Sequence, residues 1–590
     1  MKSFFKTVLA VIVGFLILSL LGLFMLSGLA ASAGSSEPVM PREGVLVMDM
    51  SKVTITEQRQ EMDPRSLLQG GSTDASIGLW DAVQAINAAA KDPAVKYIYL
   101  KPDGNASDLA IVQELRKALA NFRASGKAIV AYTENPTTGA YYLASVADKI
   151  FMTSYPGGSP MIVGVNTQLI FLKDLLDKLG VNVQLIRHGK YKSAGEMFIR
   201  NSASPENLEQ NQVMVNSMWK ALSAEIAESR GISVEKLDAD INNLTLCLPE
   251  DFLREGYVDA LYTGEELRDK LADLAVVDSY KDLKTISFGD YVTVKVKPNL
   301  KVKQKIAVIY ANGEIAEGAS ANNIDGDRFA GIIRKIREDE HVKAVVLRVN
   351  SPGGSVISSE KIRSELALLK ADKPVIASYG GYAASGGYWI SSGCDKIFTD
   401  PVTLTGSIGV FGMIPDFSKT LKDIAHVNIT SVSTHKHGDV MSFFSPLDPE
   451  ETAYVQRSIE DVYDNFVGIV SEARGLTRER VDEIAQGRVW TGSDALEIGL
   501  VDEIGTLEDA LRYAAQVAGD EDLASWNITG YPKPKTTMEM VMETLKGGSP
   551  EANVFTGTPL EGTANAVLQA ADRLENGRVL ARMPYEIVIR

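Results

Sequence analysis

Apolar and polar positions along this chain fall into short blocks that switch between two periods. Gly44-Val45-Leu46-Val47-Met48-Asp49 reads as a buried strand, Leu79 to about Ala90 repeats apolar side chains at helical spacing, and Val95 to Leu100 returns to a strand. A helix follows over Leu109 to Arg123, then strands at Lys127 to Tyr132, Lys149 to Thr153 and Val181 to Ile186. Gly70-Gly71-Ser72-Thr73 reads as a mobile loop. Strands alternating with helices on this scale predict an α/β architecture.

The order then recurs. Val95-Lys96-Tyr97-Ile98-Tyr99-Leu100 is echoed by Val342-Lys343-Ala344-Val345-Val346-Leu347, and Asp148-Lys149-Ile150-Phe151 by Asp395-Lys396-Ile397-Phe398, both at an offset of 247 residues. Gly256-Tyr257-Val258-Asp259 answers Gly499-Leu500-Val501-Asp502 at a slightly smaller offset. A large internal duplication follows, with a join near Lys295 to Lys305. The expected divisions are 1–43, a stub, anchor and linker; 44–300, the first repeat; 301–519, the second; and 520–590, an extension. In the extension a Pro532-Lys533-Pro534-Lys535 linker precedes helical segments near Met538 to Leu545 and Ala564 to Leu574, and no chemistry is read there.

Ahead of the first repeat, Lys2 and Lys6 precede an uncharged run from Thr7 to Ser36 whose apolar block, Val8 to about Met25, is long enough to cross a bilayer as a helix. The lysines would stay in the cytoplasm and place the remaining chain on the far side of the membrane. Ala31-Ser32-Ala33 resembles a signal-peptidase site, so a cleaved leader is the competing reading; the length of the apolar block favours a retained anchor held in lipid.

Composition narrows the function. At 590 residues the chain needs roughly two to four domains, and 45% hydrophobic with 23% charged residues is a globular balance. A net charge of -16 with no basic patch argues against binding nucleic acid. The two cysteines, Cys247 and Cys394, form no CxxC pair, so neither a disulfide framework nor a cysteine-rich zinc site is expected, and Cys394 reads as a small buried residue.

The chemistry gathers at Ala383-Ala384-Ser385-Gly386-Gly387-Tyr388-Trp389. It follows the apolar Pro374-Val375-Ile376-Ala377 and a Gly380-Gly381 turn, which predicts strand, sharp glycine bend and helix start, with Ser385 exposed on the first helical turn. Free amides and the positive end of a helix favour the negative charge that a serine generates when it attacks a carbonyl. Asn350-Ser351-Pro352-Gly353-Gly354-Ser355 is a second glycine turn, after the strand-like Ala344 to Val349 and before a helix-like stretch from Val356 to Lys370. The amides of Gly386 and of Gly353 or Gly354 are the candidate oxyanion donors. Each turn alone could be merely structural; their placement in consecutive βα units favours a site.

A serine needs a base. The five histidines are His188, His341, His426, His435 and His437, of which His435-Lys436-His437 reads as a solvated loop rather than a metal site. His188 stands beside Gly189-Lys190-Tyr191-Lys192-Ser193-Ala194. Shifting Ser385 back by 247 lands on Thr138, and aligning His188-Gly189 with His437-Gly438 sets Lys190 against Asp439 and Lys192 against Met441. The first repeat has therefore lost the serine and the second the lysines, as expected if the repeats share one site. Spacing alone does not choose between Lys190 and Lys192. Either would have to lose its proton through burial or a nearby cation, which enclosure between two repeats could provide.

Together, Ser351-Pro352-Gly353-Gly354, Ala384-Ser385-Gly386-Gly387-Tyr388-Trp389, Thr405-Gly406-Ser407-Ile408-Gly409 and Tyr191-Lys192-Ser193-Ala194 resemble the long, tandem form of the S49 signal peptide peptidases, from the anchor to about residue 515. The resemblance implies tandem ClpP/crotonase-like domains of repeated ββα units, Ser385 as nucleophile, Lys192 as base, and Ser407 as a partner that orients the lysine. It also implies a bowl-like homotetramer in a bacterial inner membrane, without metal or cofactor, that cuts leftover signal peptides or other unfolded peptides on the outer side. Two other classes compete: a crotonase-type acyl-CoA enzyme, whose glycine amides would hold a thioester enolate, and a membrane scaffold that binds peptides without cutting them.

Overall fold

A computed structural model describes Gly14 and residues 38–59, 75–299, 301–318, 323–533 and 579–583. Apart from Gly14, the apolar block from Val8 to Met25 lies outside the described residues, as do the Ala31-Ser32-Ala33 site, the Gly70 to Thr73 loop and the two helical segments expected after residue 535. Among the described residues no helix is long and apolar enough to cross a membrane.

The first half contributes β1 (Gly44–Asp49), β2 (Val53–Thr56), β3 (Ala75–Gly78), β4 (Val95–Lys101), β5 (Ile129–Thr133), β6 (Lys149–Thr153), β7 (Asn182–His188), β8 (Ala260–Tyr262) and β9 (Thr285–Ser287). The second half contributes β10 (Lys305–Asn312), β11 (Ile315–Ala316), β12 (Ile324–Asp325), β13 (Val342–Ser351), β14 (Gly353–Ser355), β15 (Val375–Ala384), β16 (Lys396–Thr399), β17 (Leu404–Gly406), β18 (Val410–Asp416), β19 (Val489–Thr491), β20 (Glu503–Ile504), β21 (Asn527–Tyr531) and β22 (Val579–Arg582). One sheet runs β8-β6-β5-β4-β1-β9 and a second β19-β17-β15-β13-β10-β21, with β16 and β20 branching from β15. The first is parallel throughout, as βα crossovers require, and its central strands β1, β4, β5 and β6 are largely buried on both faces, while the edge strands β8 and β9 are part-exposed. The chain is thus an α/β fold with a visible repeat.

The duplication reaches individual hydrogen bonds. Asp148 accepts from the Ile129 amide and Asp395 from the Val375 amide, each at 2.8 Å. Asp259 accepts from Ile150 and Asp502 from Ile397, again at 2.8 Å. Both repeats also carry a long helix, 205–230 and 449–474, opened by proline behind a Ser204 or Asp448 cap and closed by a left-handed glycine, Gly231 or Gly475.

A third sheet, β12-β11-β14-β22-β18-β7, crosses the boundary between repeats. Its β7 belongs to the first repeat yet pairs antiparallel with β18 of the second, from His188 opposite Val410 to Asn182 opposite Asp416. The extension is woven in as well, since β21 pairs with β10 and β22 with β14 and β18.

The seam between repeats is charged as well as apolar. Arg348 on β13 is fully buried and bonds Glu57 at 2.7 Å and 3.1 Å, with Glu114 at 2.6 Å. Gly380 and Gly381, expected to form a turn, lie inside continuous β15. The reason is space, because a Cβ on Gly380 would stand 2.3 Å from Glu57 Oε1 and one on Gly381 2.4 Å from Asp108 Oδ2. Cys394 is buried, as expected, and burial pushes its thiol up to about 12.

Candidate active site

β15 ends at Ala384 and the helix 386–391 begins with a single residue between them, so Ser385 takes the whole bend in a strained backbone with φ 55° and ψ -112°. Its amide donates to Gly406 O at 2.8 Å, which ties the bend to β17. Ser385 is fully buried, not exposed as expected, because β17 and neighbouring segments close over it.

Lys192 reaches this point from the other repeat. The β7–β18 ladder carries the chain to Gly189, a turn bonds Lys192 N to Gly189 O at 3.2 Å, and Tyr191 N donates to Gln486 O at 2.9 Å. Lys192 Nζ then lies 2.9 Å from Ser385 Oγ, 3.1 Å from Ser407 Oγ and 3.2 Å from Ser407 O. No carboxylate bonds this amine among the described residues. It is fully buried, over the Phe411 ring at 5.8 Å, and burial holds it well below the ordinary lysine range. A neutral amine here can accept the serine proton.

Gly353 and Gly354 sit beside the bend. A Cβ on Gly386 would stand 3.1 Å from Gly353 Cα and Gly354 N, so the two glycine segments touch. Gly353 has φ 99° and donates its amide to Ser351 Oγ at 3.2 Å. Gly354 has φ 151°, and a Cβ there would stand 1.9 Å from Ile315 O, so only glycine fits. Gly354→Ala is expected to push β14 away and lower kcat/KM by about 10²–10³-fold, the cost of a lost oxyanion donor, with far-UV circular dichroism unchanged. Full activity in this variant would show that β14 takes no part in turnover.

The other candidates are placed elsewhere. His188 stacks on Tyr463 at 3.7 Å and bonds Glu460 at 2.5 Å, while the Lys190 ammonium lies over the Tyr191 ring at 5.1 Å. His437 lies 3.1 Å from Glu450 and 3.2 Å from Glu451 in a turn beside the 449–474 helix, and the Glu451 carboxylate raises its pKa. Thr138 is buried and accepts the Val163 amide at 3.0 Å, so it serves a structural bond in the place corresponding to Ser385.

Sequence reasoning missed the brace behind the lysine. Arg187 donates to Lys192 O at 2.6 Å and to Glu196 at 3.2 Å, while buried Gln210 donates to Tyr191 O and Ser193 Oγ at 3.1 Å and 3.0 Å. Polar residues on the inner face of the long 205–230 helix were the available signal, since buried amides need partners.

The description "Peptidase family S49" matches residues 121–278 and 367–520, which together are more than half of the chain. The chain belongs to peptidase family S49. This S49 chain is 38% identical to "Protease 4" of Salmonella typhi, over 95% of its own length and 92% of that protein's. It is 36% identical to "Protease 4" of Haemophilus influenzae, over 90% and 89%. Among solved structures, a ClpP1 mutant from Listeria monocytogenes aligns with 35% of the chain and 94% of its own, at 15% identity and a TM-score of 0.24. Family membership and these relatives make the protein a serine peptidase, so the acyl-CoA and scaffold readings fall away.

Proposed function

We propose that the protein is a membrane-anchored endopeptidase that uses a Ser385–Lys192 dyad to cut cleaved signal peptides or other unfolded peptides at the outer face of the cytoplasmic membrane. The observation that carries the dyad is the 2.9 Å approach of a buried amine to the Ser385 hydroxyl. Lys192 Nζ takes the Oγ proton as Oγ bonds to the peptide carbonyl carbon, and the oxyanion is held by the amides of Gly386 and of Gly353 or Gly354. The resulting ammonium gives its proton to the departing amine, leaving an acyl-serine. Water then attacks, passing a proton to Lys192, and the serine is restored. Ser407 accepts from Lys192 and keeps its nitrogen aimed at Ser385. The anchor is read from the apolar block Val8 to Met25, and the substrate class from the family resemblance.

The homotetramer is what the family resemblance implies, and the repeat offers edges through which copies could pair. At the 247-residue offset β18 corresponds to residues 163–169, and the alignment of His188 with His437 sets β7 against 431–437; neither segment forms a strand here. Val163 and Val432 on them are exposed apolar residues. Pairing one copy's 163–169 with the next copy's 431–437 would repeat the internal β7–β18 ladder and link copy to copy.

A fluorophosphonate is expected to label Ser385 in the wild type, and Ser385→Ala to lose labelling together with about 10⁶-fold in kcat on an unfolded peptide. Wild-type turnover by Ser385→Ala would reject the dyad.

A further inference from the structure

Between the helix 478–484 and β19 the chain turns sharply at Gln486-Gly487, both in the left-handed region with φ 53° and 76°. The turn comes from the second repeat and touches what places the lysine of the first. Gln486 O accepts the Tyr191 amide at 2.9 Å, one residue before Lys192, and Arg488 O accepts the Ser407 amide at 2.7 Å. Gly487 N donates to Ile408 O at 2.8 Å. One turn therefore grips the backbone that carries the base and the backbone that carries the serine orienting it.

Gly487 is glycine because the lysine is there. A Cβ on it would stand 2.5 Å from Lys192 Cβ and 2.7 Å from Lys192 Cα and N. At the 243-residue spacing that relates Gly256 to Gly499, Gly487 corresponds to Leu244, which has φ 53° and is 74% exposed. The left-handed backbone thus accepts a leucine in the first repeat, where the side chain meets water. At Gly487 it is the close approach of Lys192, not the backbone angle, that rules a side chain out.

Tyr463, buried on the 449–474 helix, locks the turn. Its hydroxyl donates to Asp482 Oδ1 at 2.5 Å and accepts from Gln486 Nε2 at 3.2 Å, and that amide nitrogen also donates to Asp482 Oδ1 at 2.7 Å. The ring stacks on His188, the last residue of β7, which bonds Glu460. Tyr463 is thus fixed to both segments that converge on Lys192. On the other side of the turn the Arg488 guanidinium lies over the Tyr191 and Trp490 rings, at 4.8 Å and 4.5 Å, and 3.3 Å from Glu209. None of Asp482, Glu460, Glu209, Arg488, Arg187 or Glu196 bonds the Lys192 amine, whose partners among the described residues are Ser385 and Ser407.

We propose that the Gln486-Gly487 turn, locked by Tyr463, is a clamp that sets the register of Lys192 against Ser385, which makes Gln486, Gly487 and Tyr463 positioning residues of the reaction. This rests on reading Ser385 and Lys192 as the dyad. Proton transfer needs the amine nitrogen and the serine oxygen in contact, and a displacement of about 1 Å in such a geometry can cost on the order of 10²-fold in rate. The clamp also closes off the lysine stem, and burial is what holds its amine below the ordinary range. Loosening the turn admits water to the amine, so its pKa climbs back toward that of an exposed lysine.

The test compares full-length wild type with Tyr463→Phe, Gly487→Ala and the double variant. Tyr463→Phe keeps the ring on His188 and removes only the hydroxyl, while Gly487→Ala sets one methyl group against Lys192. Three quantities are measured: kcat and KM on an unfolded peptide, the pH dependence of fluorophosphonate labelling, and hydrogen exchange of the segment holding the Tyr191 amide, by mass spectrometry. Each single variant is expected to lower kcat about 10–100-fold with KM within about twofold, because the turn meets the base and not the peptide. The acid limb of labelling should move to higher pH, and exchange at Tyr191 should quicken roughly tenfold. The double variant should be no worse than Gly487→Ala, since both changes act through one turn. Variants that only melt earlier, with wild-type kcat, an unmoved acid limb and unchanged Tyr191 exchange, would overturn the proposal. Wild-type turnover by Lys192→Met would instead reject the dyad reading by itself, whereas loss of turnover there with none in the turn variants rejects the clamp alone. If Gly487→Ala does not fold, Tyr463→Phe decides.

Discussion

Replacing Lys192 with methionine is expected to lower kcat/KM on an unfolded peptide by on the order of 10⁴-fold, the upper range for a positioned general base, while the protein stays folded. The stability consequence has a definite sign. Burial holds the Lys192 pKa well below its unfolded value near 10.5, so in the pH window between the two the unfolded chain carries a proton that the native chain does not. Wild-type stability from this group therefore rises with pH across that window, and below the folded pKa the native state must bury a charge. Methionine removes that cost at similar volume. The variant should match or exceed the wild type in melting temperature, with its advantage largest toward the acid side and vanishing near pH 10.5. The same titration predicts that wild-type kcat/KM falls on the acid side of the depressed lysine pKa. A variant that keeps wild-type turnover, or an acid limb that survives the substitution unchanged, would remove Lys192 from the mechanism.

Arg348→Met should cost about 3–5 kcal/mol of folding stability, read from urea unfolding, because it leaves buried carboxylates without their cation. Glu57 and Glu114 both bond this guanidinium, and burial raises the pKa of Glu114 and of neighbouring Asp400. A carboxyl with a raised folded pKa binds more protons in the native state than in the unfolded one, so its contribution favours folding at low pH and is lost as pH rises through the folded value. The deficit of Arg348→Met should accordingly be smaller near pH 5 than near pH 8. Arg348→Lys keeps the charge but not the planar fork, and should fall between. Because Glu57 and Glu114 come from the first repeat and Arg348 from the second, the substitution also loosens the seam that brings Lys192 to Ser385. An unchanged urea midpoint at pH 8 would mean that the seam does not depend on this cluster.

The two results differ because the two buried charges have different surroundings. Arg348 has carboxylates within hydrogen-bond reach and remains a cation, while Lys192 has two contacts from Ser407 and one from Ser385 and can stay neutral. Burial alone did not separate them; the partners did.

The strands and helices read from the periodic blocks, such as Val95 to Leu100 and Leu109 to Arg123, begin within a few residues of observed elements, because buried parallel strands and their crossover helices leave apolar runs of characteristic length, whereas the long helices 205–230 and 449–474 are not among those read. The 247-residue offset exposed the duplication, and the missing serine in one copy and missing lysines in the other pointed to a shared site. Local pattern failed where a contact is made by residues distant in the chain. Gly380-Gly381 looks like a turn, yet it is strand, since the glycines make room for Glu57 and Asp108. The β7–β18 ladder, the pairing of Arg348 with Glu57 and Glu114, and the docking of β22 join partners 167 or more positions apart in number, such as Gly412 with Val579, Asn182 with Asp416 or Gly353 with Arg582, and no local period encodes such pairing.

By itself the sequence determined the repeat, the α/β class, and the residues able to do the chemistry, because these depend on side-chain type and short-range spacing. Spacing left Lys190 and Lys192 open and the motif resemblance named Lys192, but only the tertiary structure decided that its amine meets the serine and is enclosed. Proximity and desolvation are properties of packed surfaces drawn from both repeats, and two lysines two residues apart differ physically in what packs around each.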